Sequence, residues 1–116
     1  MIDWNIKYSQ EKRPNWYFPS FEVQEYLLPI IYVGGEPFDE YGDTLISPAE
    51  CQRMKNSIKF IQESLLLSPK SKIRYETMQK GLVVLDKLLV LKTLEALGEA
   101  TDMAVLEQKS LVFFGD

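Results

Sequence analysis

Histidine is absent from the 116-residue chain, and cysteine occurs once, as Cys51. Without histidine there is no usual proton carrier near neutral pH, and Ser-His-Asp and Cys-His catalytic arrangements are excluded. A single cysteine excludes an intramolecular disulfide and, with histidine missing, an ordinary structural zinc site. We therefore expect a reducing compartment and a protein that is not an enzyme, with no catalytic residues, no cofactor and no metal.

Nucleotide-binding motifs and long apolar runs are also missing. Neither GxxxxGK[ST] nor GxGxxG occurs in the chain. No apolar run approaches the roughly 20 residues that a membrane span requires, and the first residues lack the basic-then-apolar order of a signal peptide. These absences predict a cytoplasmic protein. The length and the hydrophobic fraction of 46% favour one compact domain over residues 1–116.

Basic residues are absent from residues 14–52, a segment that contains seven acidic residues. Residues 53–92 contain nine basic and three acidic residues, and residues 93–116 contain one basic and five acidic residues. The formal net charge of −4 counts against a nucleic-acid binder, which would usually be basic. Two interpretations stay open. The blocks could fold against one another and cancel, or the first block could form a negative surface that attracts a basic partner.

The clearest structural pattern begins at Ser47. The sequence Ser47-Pro48-Ala49-Glu50 matches a capping box with proline at the first helical position. Apolar residues then recur at steps of three and four, which predicts an amphipathic helix over about residues 48–67. These residues are Cys51, Met54, Ile58, Ile61 and Leu65.

A second series with the same spacing follows a polar break at residues 68–72. It predicts a helix over about residues 70–97, with Gly81 inside it and Gly98 as its C-terminal cap. The series consists of Tyr75, Met78, Leu82, Leu85 and Leu89. Because the link between the two helices is short, they should pair antiparallel.

The two ends of the chain have a different composition. Residues 110–114, SLVFF, are β-branched and aromatic and predict a short strand. The N-terminal region is rich in aromatic residues, and between residues 15 and 33 helix and strand both stay open, with a short helix before Gly34 favoured. The predicted fold is α+β and predominantly helical. It has an antiparallel helix pair (about 48–67 and 70–97), a small β element (about 110–114) and an aromatic-rich N-terminal region.

The segment GGEPFDEYGDTLISPAE, residues 34–50, contains five acidic residues and no basic one. An aromatic side chain among carboxylates is typical of a protein interface. A hard cation could also bind such carboxylates, but the order of an EF-hand loop is missing, and a solvated connection to the next helix is a third interpretation. The candidate partner-binding residues are Glu36, Asp39, Glu40, Tyr41 and Asp43, with Glu22 and Glu25 adding to the surface.

Cys51 also has two interpretations. At the first turn of a helix, the helix macrodipole would favour a reactive thiolate. Because Cys51 also opens the apolar series, we favour a small buried core residue.

In size, acidity and lack of catalytic groups, the chain resembles the small acidic immunity proteins with which bacteria neutralise a cognate toxin. The resemblance is one of general character and covers no motif. It implies a monomer or weak homodimer that binds a basic toxin domain, such as a nuclease, and occludes it through the acidic loop. The alternatives are a helical homodimeric adaptor, associating through the apolar series from Tyr75 to Leu97, and a carboxylate- or metal-dependent enzyme.

Overall fold

A computed structural model describes residues 1–10, 12–32, 38–39 and 41–115. The elements in chain order are β1 (Asp3–Ile6), β2 (Trp16–Tyr17), α1 (Phe21–Ile31), β3 (Asp43–Ile46), α2 (Pro48–Leu67), β4 (Lys72–Thr77), β5 (Gly81–Asp86), α3 (Lys87–Glu107) and β6 (Leu111–Phe114). About 48% of the described residues are helical and 24% are in strands. The fold is therefore α+β, as predicted, but it is not clearly predominantly helical.

Four strands form an antiparallel sheet in the order β2-β1-β6-β3. The predicted C-terminal strand is confirmed as β6, and it lies in the middle of the sheet rather than in a separate small element. In the register of the sheet, Phe113 lies opposite Trp4 of β1 and opposite Thr44 of β3. The two segments farthest apart in the sequence are thus neighbours in the sheet.

One face of this sheet packs onto the core. Because side chains alternate across a strand, the row that contains Trp4 and Phe113 points inward, and both side chains are buried. The ring centroids of Trp4 and Phe18 lie 4.8 Å apart in an edge-to-face arrangement, a geometry that aromatic pairs favour. The same buried cluster includes Leu94 and Leu97 of α3, so the helices cover this face of the sheet.

The helix predicted over residues 48–67 is confirmed as α2 with these bounds. Its capping box is formed in both directions. The Ser47 hydroxyl accepts the Glu50 N–H at 3.2 Å, and the Glu50 carboxylate accepts the Ser47 N–H at 3.1 Å. The first four residues of the apolar series are buried, and they are Cys51, Met54, Ile58 and Ile61.

The helix predicted over residues 70–97 is wrong over its first half. Residues 72–86 form an antiparallel hairpin of β4 and β5, and α3 begins only at Lys87. In β4 the half-buried and exposed side chains strictly alternate, which is the period of a strand. The half-buried residues are Ile73, Tyr75 and Thr77, and the exposed ones are Lys72, Arg74 and Glu76. The three-and-four spacing in this segment was a coincidence of two strands and a turn.

Two glycines exchange the roles that the sequence predicted for them. Gly81 has φ +69° at the start of β5, a left-handed conformation that glycine adopts without steric cost. Gly98 does not cap a helix but lies inside α3, which continues to Glu107. The buried residues beyond Gly98 are small, and they are Ala100, Thr101 and Ala104.

The helices α2 and α3 do pair antiparallel. The Lys87 ammonium at the start of α3 donates to the Ser68 carbonyl at the end of α2, at 2.7 Å. At the other end, Lys55 of α2 lies 2.6 Å from Asp102 of α3. No helix in the described part of the chain is long and apolar enough to cross a membrane.

Both helix and strand occur between residues 15 and 33, where the sequence left the choice open. Trp16–Tyr17 is the edge strand β2, and Phe21–Ile31 is the helix α1, which ends before Gly34 as favoured. The Ser20 hydroxyl caps α1 by accepting the Val23 N–H at 3.2 Å.

Candidate binding face

The second face of the four-stranded sheet is turned away from the core and is called the outer face here. It consists of the residues that alternate with the core-facing ones along each strand, and one of them, Val112 of β6, is itself buried. Two rows of side chains cross it, Tyr17–Asp3–Phe114–Asp43 and Asn5–Val112–Leu45. The outer face therefore combines acidic, aromatic, amide and aliphatic groups.

An open groove of about 380 Å³ lies on the outer face. Leu45, Val112 and Phe114 provide its apolar surface, whereas Asp43 and Lys7 provide charges of opposite sign. The remaining lining residues are Asn5, Ile6, Tyr8 and Asn15. Concave apolar surface with a few polar groups is the usual composition of a binding site.

A chain of hydrogen bonds fixes three polar side chains beside the groove. The Asn15 amide donates to the Asp3 carboxylate at 2.8 Å, and the Asn5 amide donates to the Asn15 side-chain oxygen at 2.7 Å. The Asn5 amide also donates to the Arg13 carbonyl at 3.1 Å. Because these side chains are already ordered, a partner that contacts them loses less conformational entropy on binding.

Tyr8 stands at the rim of the groove in an unusual conformation. Its φ is +60°, a left-handed backbone that costs a non-glycine residue about 1–2 kcal/mol. The Lys109 ammonium donates to the Tyr8 carbonyl and helps to hold the turn. The ring is 81% exposed, so burial does not offset this cost. Strain retained at an exposed aromatic side chain points to a binding role.

Three of the five loop residues predicted to bind a partner are described, and Glu36 and Glu40 lie outside the described residues. The Asp39 carboxylate accepts the Tyr41 N–H at 2.9 Å, so it shapes its own loop. Tyr41 is 83% exposed. Asp43 is exposed and lines the groove, so the loop leads directly onto the outer face.

Phe38 anchors the same loop to the core. Its ring centroid lies 5.7 Å from that of Phe113 and 5.2 Å from that of Tyr32, both edge-to-face. The Asp39 N–H donates to the Thr44 hydroxyl at 3.2 Å. Of the two aromatic residues that the sequence placed among the acidic ones, Phe38 therefore packs inward and Tyr41 faces solvent.

Glu22 and Glu25 contact the β4–β5 hairpin. Glu22 lies 3.7 Å from the Lys80 ammonium, and the Tyr75 hydroxyl donates to the Glu22 carbonyl at 2.9 Å and lies 3.3 Å from the Glu25 carboxylate. Burial, followed by the Glu25 charge, raises the pKa of Tyr75. No hydrogen bond or ion pair in the described part of the chain joins Glu22 or Glu25 to the loop that carries Tyr41.

The charge blocks of the sequence are partly paired in space. The contact between Lys80 and Glu22 joins the basic block to the first acidic block, and that between Lys55 and Asp102 joins it to the last one. By contrast, the Asp43 carboxylate forms no hydrogen bond or ion pair with another described residue. Asp43 thus remains available to a partner.

Cys51 lies in the core, as favoured. Burial raises the pKa of the Cys51 thiol to about 11, and the Glu50 charge adds to this effect while a backbone hydrogen bond from Leu111 opposes it. The thiol donates to the Ile46 carbonyl at 3.6 Å. Desolvation therefore outweighs the helix macrodipole, and Cys51 stays protonated at neutral pH.

Sequence reasoning missed Asp3, Tyr8 and Tyr17 as candidate binding residues. The opening residues contain a pattern that would have located the first of them. In IDWNIKY, residues 2–8, apolar Ile2, Trp4 and Ile6 alternate with polar residues, which is typical of a half-buried strand. No comparable pattern in the sequence shows that β1 lies beside β6.

Comparison of the chain with known protein families, with characterised proteins and with solved structures gives no match. Within residues 1–10, 12–32, 38–39 and 41–115, no group of three or more acidic or cysteine residues is placed to hold a metal ion. Function must therefore be inferred from the chemistry of the outer face.

Proposed function

We propose that this protein binds and neutralises a basic protein partner, in the manner of a bacterial immunity protein that occludes a cognate toxin such as a nuclease. The observation that supports this most is the composition of the outer face and its rim. Tyr8, Tyr17 and Tyr41 are 81%, 71% and 83% exposed. Exposed tyrosines around an apolar patch are the residues that most often dominate protein interfaces.

Two carboxylates on the outer face favour a basic partner, although Lys7 also lines the groove. Asp3 and Asp43 lie in the same cross-strand row, on either side of Phe114. A lysine or arginine of the partner would meet Asp43 at the edge of the groove, and Asp39 lies four residues away on the adjoining loop. Such carboxylates accelerate association with a basic protein at low salt. We expect the mechanism to be occlusion of the partner's functional surface.

Capture of the partner is the direct test. The tagged protein is incubated with extract of its native cells at low and moderate salt, and bound proteins are identified by mass spectrometry. We expect one stoichiometric basic protein, with less of it recovered as salt rises because exposed charges are screened beyond about 10 Å at 0.1 M ionic strength. Recovery of no basic protein at either salt concentration would contradict the proposal.

A matched pair of charge reversals then assigns the surface. Asp43→Lys should slow association with the captured protein on the order of tenfold at low salt. Glu95→Lys makes the same change of charge beside Lys55 and Lys59, between α2 and α3, and should leave association nearly unchanged. Equal effects of the two variants would mean that overall charge, rather than the outer face, controls binding.

A second candidate function is self-association, because one end of the helix pair is apolar and exposed. Leu66 and Leu67 at the end of α2 and Leu88 at the start of α3 are all exposed. The Lys87 ammonium donates to the Leu65 carbonyl at 3.2 Å and holds these two ends together. The predicted interface from Tyr75 to Leu97 is not one helical surface, since its first half is the hairpin.

Sedimentation velocity at low micromolar concentration tests this second candidate. A dimer that Leu67→Glu converts to a monomer would support self-association through this end. The exposed residue Leu106, near the other end of α3, provides the control substitution Leu106→Glu. A monomer at every concentration would remove the adaptor function.

A further inference from the structure

We propose that the basic partner contributes an extended segment that pairs as a fifth strand with the edge of β3 that faces away from β6. In this arrangement, a lysine or arginine of the segment lies beside Asp43, and a large apolar residue two positions away lies beside Leu45. The inference rests on the proposed function and specifies how the partner is held.

The hydrogen bonds of the sheet show which backbone groups of β3 face outward. The Gly115 N–H donates to the Gly42 carbonyl at 2.9 Å, so these two residues form a hydrogen-bonded pair. Bonded and non-bonded pairs alternate along an antiparallel ladder. Thr44 therefore bonds to β6, whereas the N–H and carbonyl groups of Asp43 and Leu45 point away from it. Among the described strands, only β6 pairs with β3.

The opposite side of β6 supports the same assignment. The Lys7 N–H donates to the Ser110 carbonyl at 2.9 Å, so Ser110 and every second residue after it bond to β1. The intervening residues, Leu111 and Phe113, are then the ones that bond to β3. Both ladders place the backbone groups of Asp43 and Leu45 on the edge of β3 that faces away from β6.

Two of the other edge strands in the described part of the chain are poorly suited to strand addition, whereas β5 also exposes apolar side chains, Leu82 and Val84, but does not border the groove. The exposed side chains of β4 are Lys72, Arg74 and Glu76, and charged residues commonly prevent an edge from pairing with another chain. The edge strand β2 has only two residues. β3 is also short, but it exposes the apolar side chain of Leu45 and contains neither lysine nor proline.

The side chains on the outer face define the chemistry of the added segment. Asp43 and Leu45 project from the same face because they are two residues apart. Cross-strand neighbours of opposite charge, and of apolar character, stabilise a strand pair. An added strand should therefore present a basic and an apolar residue at alternate positions, with the apolar one reaching Val112 in the groove. Main-chain hydrogen bonds to both outward-facing residues would supply the rest of the affinity.

Alternate N-methylation of a peptide tests strand addition directly. The probe is the blocked peptide acetyl-Thr-Leu-Thr-Lys-Thr-amide, whose order places leucine beside Leu45 and lysine beside Asp43 in an antiparallel pairing, and it is titrated into the full ¹⁵N-labelled protein. Two further peptides have the same side chains, with N-methyl groups either on the lysine and leucine or on the three threonines. Only one alternate set of N–H groups can face β3 in any strand pairing. We therefore expect one methylated peptide to lose binding and the other to retain it.

Amide hydrogen exchange provides the second measurement. The outward N–H groups of Asp43 and Leu45 should exchange at least about tenfold more slowly at saturating peptide, since they become hydrogen-bonded. Unchanged exchange, with both methylated peptides binding as well as the parent, would show binding onto the face and overturn strand addition. Absence of binding by the parent peptide at millimolar concentration would also overturn it.

Two substitutions at one position apply the same test to the captured partner. Leu45→Pro removes the outward N–H, and an edge strand accepts proline at a position whose N–H does not pair within the sheet. Leu45→Thr keeps the N–H and removes the apolar side chain. Strand addition predicts weaker partner binding for both, with the greater loss for proline at equal thermal stability. Failure of the proposed function has a separate result, namely that no basic partner is captured at all.

Discussion

Alanine substitutions at Gly81 and Gly98 should change stability in opposite directions. The hairpin places Gly81 at φ +69° with no atom within 4 Å of an added Cβ, so backbone conformation alone decides the outcome. Gly98 lies inside α3, and an added Cβ would make an ordinary contact with the Ile58 side chain at 3.9 Å. The helix predicted from the sequence implies the reverse, since it has Gly81 in its interior and Gly98 as its cap.

The magnitudes follow from the two environments. A left-handed alanine costs about 1–2 kcal/mol, and the lower entropy of the unfolded chain returns roughly 0.4–1 kcal/mol. Gly81→Ala should therefore destabilise the protein by about 1 kcal/mol. Gly98→Ala should stabilise it by about 1 kcal/mol, the difference in helix propensity between the two residues. Each change corresponds to roughly 4 °C in Tm for a chain of this length.

Urea unfolding followed by tryptophan fluorescence measures both variants, because Trp4 is buried in the core. A difference of about 2 kcal/mol between them, with equal m-values, is the expected result. If Gly81→Ala were the more stable variant and Gly98→Ala the less stable one, residues 72–86 would form a helix and the hairpin would be incorrect. Gly81→Asn serves as a control, since asparagine tolerates a left-handed backbone better than alanine does.

Three further predictions concern the binding face, the helix cap and the core. Tyr8→Gly should stabilise the protein by up to about 1 kcal/mol, because glycine adopts the left-handed backbone without strain. The same change should weaken capture of the partner, since the exposed ring is lost. Loss of both stability and binding would contradict a binding role for the ring. Ser47→Ala should cost about 1 kcal/mol of unfolding free energy, measured by urea unfolding, and an unchanged midpoint would refute the importance of the capping box. The folded pKa of Cys51, about 11, exceeds the ordinary value of 9.0, so the stability due to its burial is fully present below pH 9 and lost as pH rises to about 11. The free energy of unfolding of Cys51→Ala should fall less than that of the unaltered protein between pH 9 and 11. Equal falls for the two proteins would refute the raised pKa.

Local patterns predicted α2 well because everything that defines it lies within 20 consecutive residues. Ser47 and Glu50 cap each other, and the apolar spacing follows at once. The prediction for residues 72–86 was wrong because this segment carries both a helical and an alternating apolar pattern. Tyr75 and Leu85 belong to both the helical and the alternating series, and the turn residue Gly81 was taken as a helical residue. The strict alternation in β4, with the β-branched residues Ile73 and Thr77, is what should have decided the choice.

The candidate site was only partly predictable for a different reason. Tyr41 and Asp43 were found because aromatic and acidic residues lie together in one loop. Asp3 joins them only through Phe114, since β1 and β3 pair with opposite sides of β6. Sequence periodicity predicts that a strand exists and which residues share a face, but not which distant strand becomes its neighbour. The outer face is therefore a property of strand order rather than of any one segment.

The central position of β6 also determines when the sheet can form during synthesis. Residues 3–6 are made first and residues 111–114 more than 100 residues later, so β1 and β3 each await the same partner strand. Before Phe114 is synthesised, the helices of the nascent chain can form, but the four-stranded sheet cannot. Until then the edges of β1 and β3 that pair with β6 have no partner strand, and such unpaired strand edges are prone to aggregation. Formation of the four-stranded sheet therefore awaits translation of residues 111–114, and a chain truncated before them lacks the strand that joins β1 to β3.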